Sequence, residues 1–397
     1  MEEWKECKLG DICKSNLNSY SEKDNWNFVN YLDTGNITEN KISDIQYIDL
    51  SSESLPSRAK RKVQIDDIIY STVRPNQKHF GIIKNQPENF LVSTGFAVLH
   101  INKAIADPNF VFYNLIQNDN TERLHAIAEQ TTSAYPAIKA IDIENLSINL
   151  PPLPTQQKIA AILSSLDEKI ELNNKINENL EQQAQAIFKS WFVDSKEQNG
   201  TIGDYCSVKS GFAFKSSWWQ DSGIKVIRIG DIEQDNLGFD SCAHVSEDKV
   251  LLAKDFIVKG GDLVIAMTGA TIGKFSIVPN IGETILVNQR VGKFFLGDNP
   301  IEKVPFIYCT LKQDQVISEF INRGQGSAQP NISTGDILSI PCWMPEICKI
   351  DEFNKLARPM FETVISNQQE NRKLSKLRDI LLPKLMSGEI DAYKLKI

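Results

Sequence analysis

The 397-residue chain contains an internal repeat, and this repeat limits the possible folds more than any other feature. The segment Asp67-Ile68-Ile69-Tyr70 returns as Asp262-Leu263-Val264-Ile265. The other matched pairs are Leu9-Gly10-Asp11 with Ile202-Gly203-Asp204, Thr34-Gly35-Asn36 with Ile229-Gly230-Asp231, Phe80-Gly81-Ile82 with Phe275-Ser276-Ile277, Leu91-Val92 with Leu286-Val287, and Ser133-Ala134 with Ser327-Ala328. All pairs keep one order at a spacing of 193 to 195 positions. We infer a duplication, in which both copies adopt the same fold.

Each copy begins with about 150 residues that mix strand and helix patterns. Short β-branched and aromatic runs, broken by Gly, Asn and Pro, predict strands within 62–71, 91–101 and 262–267. The stretches 108–128 and 305–321 have helical patterns. The predicted fold class is therefore α+β.

Each copy ends in a long helix. Pro151-Pro152-Leu153-Pro154 excludes helix and forms a rigid lead-in, after which Thr155 is the expected N-cap. Residues 156–192 contain neither Pro nor Gly, which predicts a helix about 55 Å long. A small domain does not need a helix of that length, so we interpret it as a spacer.

The two long helices carry the same seven-residue stripe, apolar except for one central asparagine. Its positions are Ile159, Leu166, Asn173, Leu180 and Ile187 in the first helix, and Phe353, Met360, Asn367, Leu374 and Leu381 in the second. Because one Asn in an apolar seam fixes register and partner, we predict an antiparallel coiled coil with Asn173 opposite Asn367. The alternative is that each stripe packs on its own domain while each Asn faces water. Pro359 predicts that the second helix starts or kinks there.

The composition is that of a globular chain with an acidic balance. The formal charge is -8, from 43 Lys+Arg against 51 Asp+Glu, which argues against a general nucleic-acid coat or a membrane-surface protein. No apolar run approaches about 18 residues, and the start Met1-Glu2-Glu3-Trp4 has no signal-peptide pattern. The seven cysteines lack metal-ligand spacing, so reduced thiols in the cytoplasm are expected, with Cys13 and Cys206 in the core.

The sequence lacks a convincing catalytic signature. The loop 269–274 is one residue too short for a phosphate loop, and Phe275 replaces the hydroxyl that would bind magnesium. The four histidines, which are His79, His100, His125 and His244, have no histidine at the matching position of the other copy. We therefore predict a chain without catalytic residues, metal or cofactor.

Polar and basic loops instead predict contact with a nucleic acid, because Arg or Lys reads guanine and Asn or Gln reads adenine. The candidates in the first copy are Arg58, Lys60, Arg61, Lys62, Arg74, Asn76, Gln77, Lys78, His79, Thr94 and Tyr135. Those in the second copy are Lys215, Thr268, Thr271, Lys274, Asn288, Gln289, Arg290, Arg323, Gln325 and Gln329. Such residues are also common in solvated loops, and that alternative stays open. Since the loops differ while the framework recurs, two copies would read two different half-sites.

These motifs together resemble the specificity subunit of type I restriction–modification systems. The resemblance rests on the duplication, on Leu-Pro-Pro-Leu-Pro-Thr-Gln-Gln-Lys-Ile-Ala at 150–160, and on the helix that follows through Ala186-Ile187-Phe188-Lys189-Ser190-Trp191-Phe192. It also includes the paired elements at 132–136 and 326–330 and the terminal segment 377–388. The matching features span nearly the whole chain.

The resemblance implies two repeated, α/β-mixed target-recognition domains separated by two long antiparallel coiled-coil helices with pseudo-twofold symmetry. The expected boundaries are 1–154 for the first recognition domain, 155–195 for the central spacer helix, 196–348 for the second domain, and 349–397 for the distal helix and tail. Each domain would read one half of a bipartite target in double-stranded DNA.

The resemblance also implies partners and no catalysis by the chain itself. Two methyltransferase (modification) subunits, which bind S-adenosylmethionine, would dock on the helices and connect to ATP-dependent restriction subunits. Two other classes of protein stay open at this point. One is a stand-alone DNA methyltransferase or nuclease with fused recognition domains, and the other is a coiled-coil adaptor with no DNA role.

Overall fold

The structure is a computed structural model that describes residues 4–130, 136–194, 196–233, 235–324 and 330–395, apart from the side chain of Glu22. The chain divides into two compact units. The first is Met1–Glu168 with Leu374–Ile397, and the second is Lys169–Lys373. Each unit combines one copy of the repeat with part of each long helix.

The first copy forms two four-stranded sheets flanked by short helices. Its strands are β1 (Lys5–Lys8), β2 (Cys13–Ser15), β3 (Phe28–Leu32), β4 (Ile37–Thr38), β5 (Lys41–Ile42), β6 (Gln46–Asp49), β7 (Ala59–Lys62), β8 (Ile68–Ser71), β9 (Phe80–Ile82), β10 (Phe90–Ser93), β11 (Phe96–Ile101) and β12 (Ser147–Leu150). Its helices are α1 (Leu9–Ile12), α2 (Pro108–Leu115), α3 (Asn118–Glu129), α4 (Ala140–Glu144) and the long α5 (Leu153–Phe188).

The second copy has the same order of elements, with one short strand, Trp219–Gln220, and one short helix, Lys249–Leu252, added. Its strands are β13 (Gly200–Thr201), β14 (Ser207–Ser210), β15 (Trp219–Gln220), β16 (Ile224–Ile227), β17 (Ile232–Glu233), β18 (Asn236–Leu237), β19 (Ala243–Val245), β20 (Ile257–Val258), β21 (Leu263–Ala266), β22 (Phe275–Ile277), β23 (Ile285–Val287), β24 (Val291–Phe295) and β25 (Pro341–Cys342). Its helices are α6 (Ile202–Tyr205), α7 (Lys249–Leu252), α8 (Val304–Leu311), α9 (Asp314–Gly324), α10 (Thr334–Leu338) and the long α11 (Ile347–Met386).

The sheet topology confirms the duplication. One sheet runs β2-β11-β8-β9 in the first copy and β14-β24-β21-β22 in the second. The other runs β6-β3-β10-β7 and recurs as β19-β16-β23-β20, with β15 added at one edge. Even the single parallel pairing of this sheet recurs, as β3 with β10 and as β16 with β23. The predicted α+β class with repeated domains is therefore confirmed.

The ends of the long helices belong to the cores of the two units. In the first unit, Ile159 and Leu163 of α5 and Leu385 of α11 lie in the same apolar cluster as Phe110 of α2. In the second unit, Phe188 of α5 lies within 5.6 Å of the rings of Phe306 and Phe353, measured between ring centroids. The stripe of α5 therefore packs in the first unit at one end and in the second unit at the other, and Asn173 is buried, so the alternative, in which each stripe packs on its own domain and each Asn faces water, is wrong for α5.

The middle of the helix pair is a polar layer within the second unit. Asn173, which is buried, donates from its amide Nδ2 to Glu370 Oε2 at 2.7 Å and to Asn371 Oδ1 at 2.9 Å. Asn367 donates to Asn177 Oδ1 at 2.8 Å. Positions rise in one helix as they fall in the other, so the pair is antiparallel.

The predicted opposition of Asn173 and Asn367 is wrong by one helical turn. The spacing of about 194 residues shows which positions of the two copies are equivalent in sequence. It does not show which residues of α5 lie opposite which residues of α11. Each helix carries a second asparagine one turn from the central one, Asn177 in α5 and Asn371 in α11. Each central asparagine pairs with the second asparagine of the other helix.

The predicted start of the first helix is also wrong, and the second helix does not start at Pro359. The first helix begins at Leu153, because Pro154 is tolerated in a first turn and the Pro152 carbonyl accepts from the N–H groups of Thr155 and Gln156. Thr155 therefore lies inside the helix and is not its N-cap. The second helix begins at Ile347 and continues through Pro359, which is exposed, so that water can hydrate the carbonyl that Pro leaves unpaired.

A tyrosine at the matching position of each copy fastens that copy to α5. The Tyr113 hydroxyl donates to Asp167 at 2.6 Å, and Arg378 of α11 contacts the same carboxylate at 2.7 Å. In the second unit, the Tyr308 hydroxyl donates to Glu181 at 2.7 Å. Burial of the Glu181 carboxylate, reinforced by the nearby charge of Asp235, raises the pKa of Glu181 above its usual range.

The two cysteines predicted to lie in the core differ in exposure. Cys13 is buried and Cys206 is half-buried. Burial raises the pKa of each thiol to about 12, so both stay protonated and unreactive near neutral pH.

Candidate nucleic-acid interface

Backbone hydrogen bonds bring three loops together in the first copy. The loop from β8 to β9 is tied to the loop from β10 to β11, because the N–H and the hydroxyl of Thr72 both donate to the Gly95 carbonyl, at 2.7 and 2.8 Å. The same loop is tied to the segment before α4, since the N–H of Arg74 donates to the Pro136 carbonyl at 2.9 Å. We call residues 72–79, 93–95 and 136–138 the first loop cluster.

The second copy repeats this arrangement with different side chains. The N–H of Met267 donates to the Arg290 carbonyl at 3.0 Å, and that of Gly269 donates to the Pro330 carbonyl at 2.9 Å. Residues 267–274, 288–290 and 330–332 form the second loop cluster. The structure thus places the separately predicted loops side by side within each copy.

Two positions in these clusters have a left-handed backbone. In the second copy they are Gly269, with φ of 74°, and Gly273, with φ of 82°. The matching positions of the first copy are Arg74, with φ of 47°, and Lys78, with φ of 56°. A residue with a Cβ loses about 1–2 kcal/mol in this conformation. The first copy therefore holds two cations at strained positions that glycine would fill without strain, which is a mark of functional sites.

Many predicted DNA-contact residues have exposed side chains. In the first copy these are Arg58, Lys60, Arg74, Asn76, Gln77 and Thr94. In the second copy they are Lys215, Lys274, Gln289 and Arg290. All except Arg58, Lys60 and Lys215 belong to the two loop clusters.

Other predicted residues of the first copy make contacts within the protein. Lys62 forms an ion pair with Asp24 at 2.5 Å and lies over the Trp26 ring at 5.2 Å from its centroid. Lys78 pairs with Glu39 at 2.9 Å, and Nδ1 of His79 lies 2.5 Å from the Ile37 carbonyl oxygen. These three side chains therefore hold the loop and the neighbouring strand in place through contacts within the protein.

Arg61 and Lys62 are the two half-buried cations of the basic strand β7, and Arg61 lacks an ion-pair partner among the described residues. Its Nη2 donates to the Thr94 carbonyl at 3.4 Å, and its buried Nε has no hydrogen-bond partner among the described residues. Burial lowers the pKa of the guanidinium, because desolvation penalises its charge. Arg61 thus brings a poorly solvated charge close beneath the exposed Thr94.

Several second-copy predictions fall on residues that organise the backbone. Thr268 is buried, Thr271 donates from its hydroxyl to the Thr268 carbonyl at 3.4 Å, and Asn288 Oδ1 accepts from the N–H of Arg290 at 3.4 Å. Arg323 caps helix α10, because its guanidinium donates to the Asp336 carbonyl at 2.9 Å. Tyr135, Gln325 and Gln329 lie outside the described residues.

Sequence reasoning missed a set of tryptophans that lie next to cations. The Trp218 ring has Lys215 and Lys249 over it, with their Nζ atoms 5.5 and 4.9 Å from the centroid. In the first copy, Trp26 lies beside Lys62. In the sequence, these sites appear only as a tryptophan near a lysine in a loop. Residue spacing alone does not connect such a pair to the two loop clusters.

Other kinds of site find no support in the described part of the chain. No group of three His, Cys, Asp or Glu side chains there is arranged to hold a metal ion. None of the described helices is both long enough and apolar enough to cross a lipid bilayer.

A family model now explains the repeated units. The type I restriction modification DNA specificity domain matches residues 1–182 and again residues 195–354. The two matches cover most of the chain and fall on its two copies, so the chain belongs to the family of specificity subunits of type I restriction–modification systems. This confirms the resemblance that the sequence motifs carried.

Similar proteins agree over the full length. The type I restriction enzyme HindI specificity subunit of Haemophilus influenzae is 28% identical, over 98% of this chain and 100% of that protein. The MjaIX specificity subunit of Methanocaldococcus jannaschii is 25% identical, over 98% of this chain and 93% of that one. The crystal structure of a type I restriction–modification S subunit from M. genitalium has the same fold, with a TM-score of 0.56 at 17% identity over 97% and 96% of the two chains.

Proposed function

We propose that the two loop clusters read the two halves of a bipartite DNA target. The observation that carries this proposal is the recurrence of one backbone arrangement with different side chains. The Thr72–Gly95 contact recurs as Met267–Arg290, while the exposed residues change from Arg74, Asn76 and Gln77 to Lys274, Gln289 and Arg290. A constant frame with variable donors and acceptors is suited to reading two different sequences.

Within each cluster we assign two roles. Arg74, Asn76 and Gln77, and in the second copy Gln289 and Arg290, contact base edges, because they combine exposure with a position fixed by backbone bonds. Arg58, Lys60, Lys215 and Lys274 contact phosphates, because they are exposed cations, of which the first three lie outside the loop clusters and Lys274 carries a compact ammonium charge. Arg61 and Lys62 support the loop from beneath.

The long helices set the gap between the half-sites and bind the partner subunits. At 36 residues, α5 is about 54 Å long, which exceeds one DNA turn of about 34–36 Å. Two methyltransferase subunits dock on the helix pair and connect to ATP-dependent restriction subunits. The chain itself has no catalytic role and no cofactor of its own, and it acts on DNA in the cytoplasm.

A domain exchange tests the reading role. Residues 4–150 are replaced by the equivalent segment of a relative with another target, keeping the first-unit parts of α5 and α11 that complete the core. DNA methylation by the assembled complex should then change in one half-site only. A change in both half-sites contradicts the modular proposal.

Two further measurements separate this proposal from the enzyme alternative. Footprinting of the complex should show two protected patches with an unprotected gap. Methyl transfer to DNA by the purified chain alone, without partners, should be absent. Methylation by the chain alone would favour a stand-alone methyltransferase.

A further inference from the structure

Arg61 carries a charge that the described part of the chain does not neutralise. Its neighbour Lys62 forms an ion pair with Asp24, whereas the Arg61 guanidinium has no carboxylate within ion-pair distance among the described residues. Its Nε is buried and has no hydrogen-bond partner there either. Buried charges in proteins are normally paired, because the loss of hydration penalises them. The guanidinium therefore has donors available for an anion that the chain does not supply.

The loop around Thr94 keeps its shape mainly through bonds other than that of Arg61. Thr72 donates twice to the Gly95 carbonyl, at 2.7 and 2.8 Å, and the N–H of Thr94 donates to the Arg58 carbonyl at 2.8 Å. The bond from Arg61 Nη2 to the Thr94 carbonyl is 3.4 Å long, beyond the usual range of about 2.7–3.2 Å. Arg61 thus gives the loop only weak support, and its guanidinium is weakly restrained.

The fold does not require a cation at this place. The pairing of β7 with β10 recurs as the pairing of β20 with β23, and in that register Lys62 matches Ile257. The residue before each of them is Arg61 in the first copy and Phe256 in the second, and both are half-buried. Because an apolar ring occupies the matching place in the second copy, the charge of Arg61 serves something other than the shared framework.

The surface next to Arg61 has the composition of a phosphate site. Arg58 and Lys60, on either side of Ala59, are exposed cations, and Thr94 is exposed as well. A phosphate offers several acceptor oxygens and a negative charge, which suit the forked donors of a guanidinium. Since Thr94 belongs to the first loop cluster, an anion bound here would lie at the edge of that cluster.

We propose that Arg61 donates to a backbone phosphate of the first DNA half-site beside Thr94, and that this phosphate supplies the acceptor that the guanidinium lacks in the free chain. Only one long bond restrains the guanidinium, so it can turn toward the DNA. This inference rests on the proposed reading role of the first loop cluster. It adds a contact that fixes the position of the cluster on DNA without reading a base.

Substitutions in strand β7 separate this role from a structural one. Arg61→Met removes the charge and keeps an unbranched apolar stem, and Arg61→Lys keeps the charge. Lys62→Met is the matched control, because it removes a cation of the same strand that has its own partners in Asp24 and Trp26. Arg61→Phe, which copies Phe256 of the second copy, takes the place of Arg61→Met if that variant does not fold.

Binding is measured by titration of labelled target DNA with the full chain assembled with its partner subunits. Arg61→Met should weaken binding about tenfold on all DNA sequences and reduce the slope of log K against log salt by about 1. Arg61→Lys should keep most of the affinity. In urea unfolding, Arg61→Met should keep the stability of the original chain, whereas Lys62→Met should lose stability and keep the original salt slope.

A scan of the DNA phosphates identifies the contact itself. Neutral methylphosphonates replace the backbone phosphates beside the first half-site, one at a time. At one position the replacement should weaken binding by the original chain and have no further effect on Arg61→Met, because the variant has already lost that contact.

The inference is overturned if Arg61→Met binds DNA as the original chain does, or if its loss of binding depends on the base sequence, which would make Arg61 a base contact. It is also overturned if every methylphosphonate weakens the variant as much as the original chain, since Arg61 would then act through the fold. A loss of stability in Arg61→Met as large as that in Lys62→Met would contradict it as well. Failure of the proposed function is distinct, because the original complex would then show no base preference in either half-site.

Discussion

Because Arg74 has a left-handed backbone, its cost to the stability of the fold can be measured separately from its contribution to DNA recognition. We compare Arg74→Gly with Arg74→Ala, which remove the same side-chain contacts and differ only in the Cβ. The strain of about 1–2 kcal/mol at φ of 47° remains in the alanine variant and is relieved in the glycine variant. Glycine loses about 0.5–1 kcal/mol more in chain entropy on folding. The glycine variant should therefore be more stable by about 0.5–1 kcal/mol.

The second copy supplies the reverse experiment. Gly269 has φ of 74°, and a Cβ there would meet only Ile229 Cδ1 at 3.8 Å, which is an ordinary contact. Gly269→Ala should therefore add backbone strain without a steric clash and destabilise the second unit by a similar amount, about 0.5–1 kcal/mol. Urea unfolding, with amide exchange resolved for each copy, measures both effects.

DNA binding should follow a different pattern from stability. Both Arg74 variants should lose about 1–3 kcal/mol of discrimination at one base position, measured by competition between single-base variants of the target. Equal stability of the glycine and alanine variants would refute the strain argument. Equal weakening on all DNA sequences would instead make Arg74 a phosphate contact.

Three further changes test other features. Lys60→Ala should weaken binding equally on all sequences and reduce the slope of log K against log salt by about 1, and a sequence-dependent loss would contradict a phosphate role. Glu181→Gln should stabilise the second unit increasingly as pH rises above the ordinary pKa of a glutamate, because the raised pKa of Glu181 makes its ionisation costly in the folded state, and the advantage should vanish in acid, where both forms are neutral. A pH-independent difference in the free energy of unfolding would exclude this explanation. Gln156→Leu should destabilise the first unit by about 2–3 kcal/mol in urea unfolding, because the buried Gln156 amide donates to the Pro151 and Ile105 carbonyls and accepts from the N–H of Asp107, and a neutral result would show that water replaces it.

Sequence patterns predicted the large features because those depend on many residues. The duplication and the two long helices each rest on dozens of positions, so single exceptions such as Pro359 did not hide them. Short turns were harder to see. The run 62–71 reads as one strand, but the structure separates β7 from β8 where Asp66 takes a φ of 73° and Asp67 Oδ2 accepts from the N–H of Gln64.

The loop clusters were predictable in residue type and not in assembly. Arg74 and Gln289 belong to residue types that contact base edges, and the sequence shows this directly. What joins the loops is main-chain bonding, such as that from Arg74 to Pro136, and backbone donors look alike in every sequence. The prediction of the helix register was wrong for a related reason. The sequence of the apolar stripe fits several registers almost equally well, and only the observed asparagine pairs distinguish them.

Each unit needs part of both long helices for its core, and this affects the order in which the chain can fold during synthesis. The second unit is one continuous segment, Lys169–Lys373, whereas the first needs residues from 374 onward, including Leu381 and Leu385. Domains fold as units while the ribosome adds about 5–20 residues per second. The copy that is synthesised first therefore completes its core last, and it keeps apolar surface open until the second copy has already emerged.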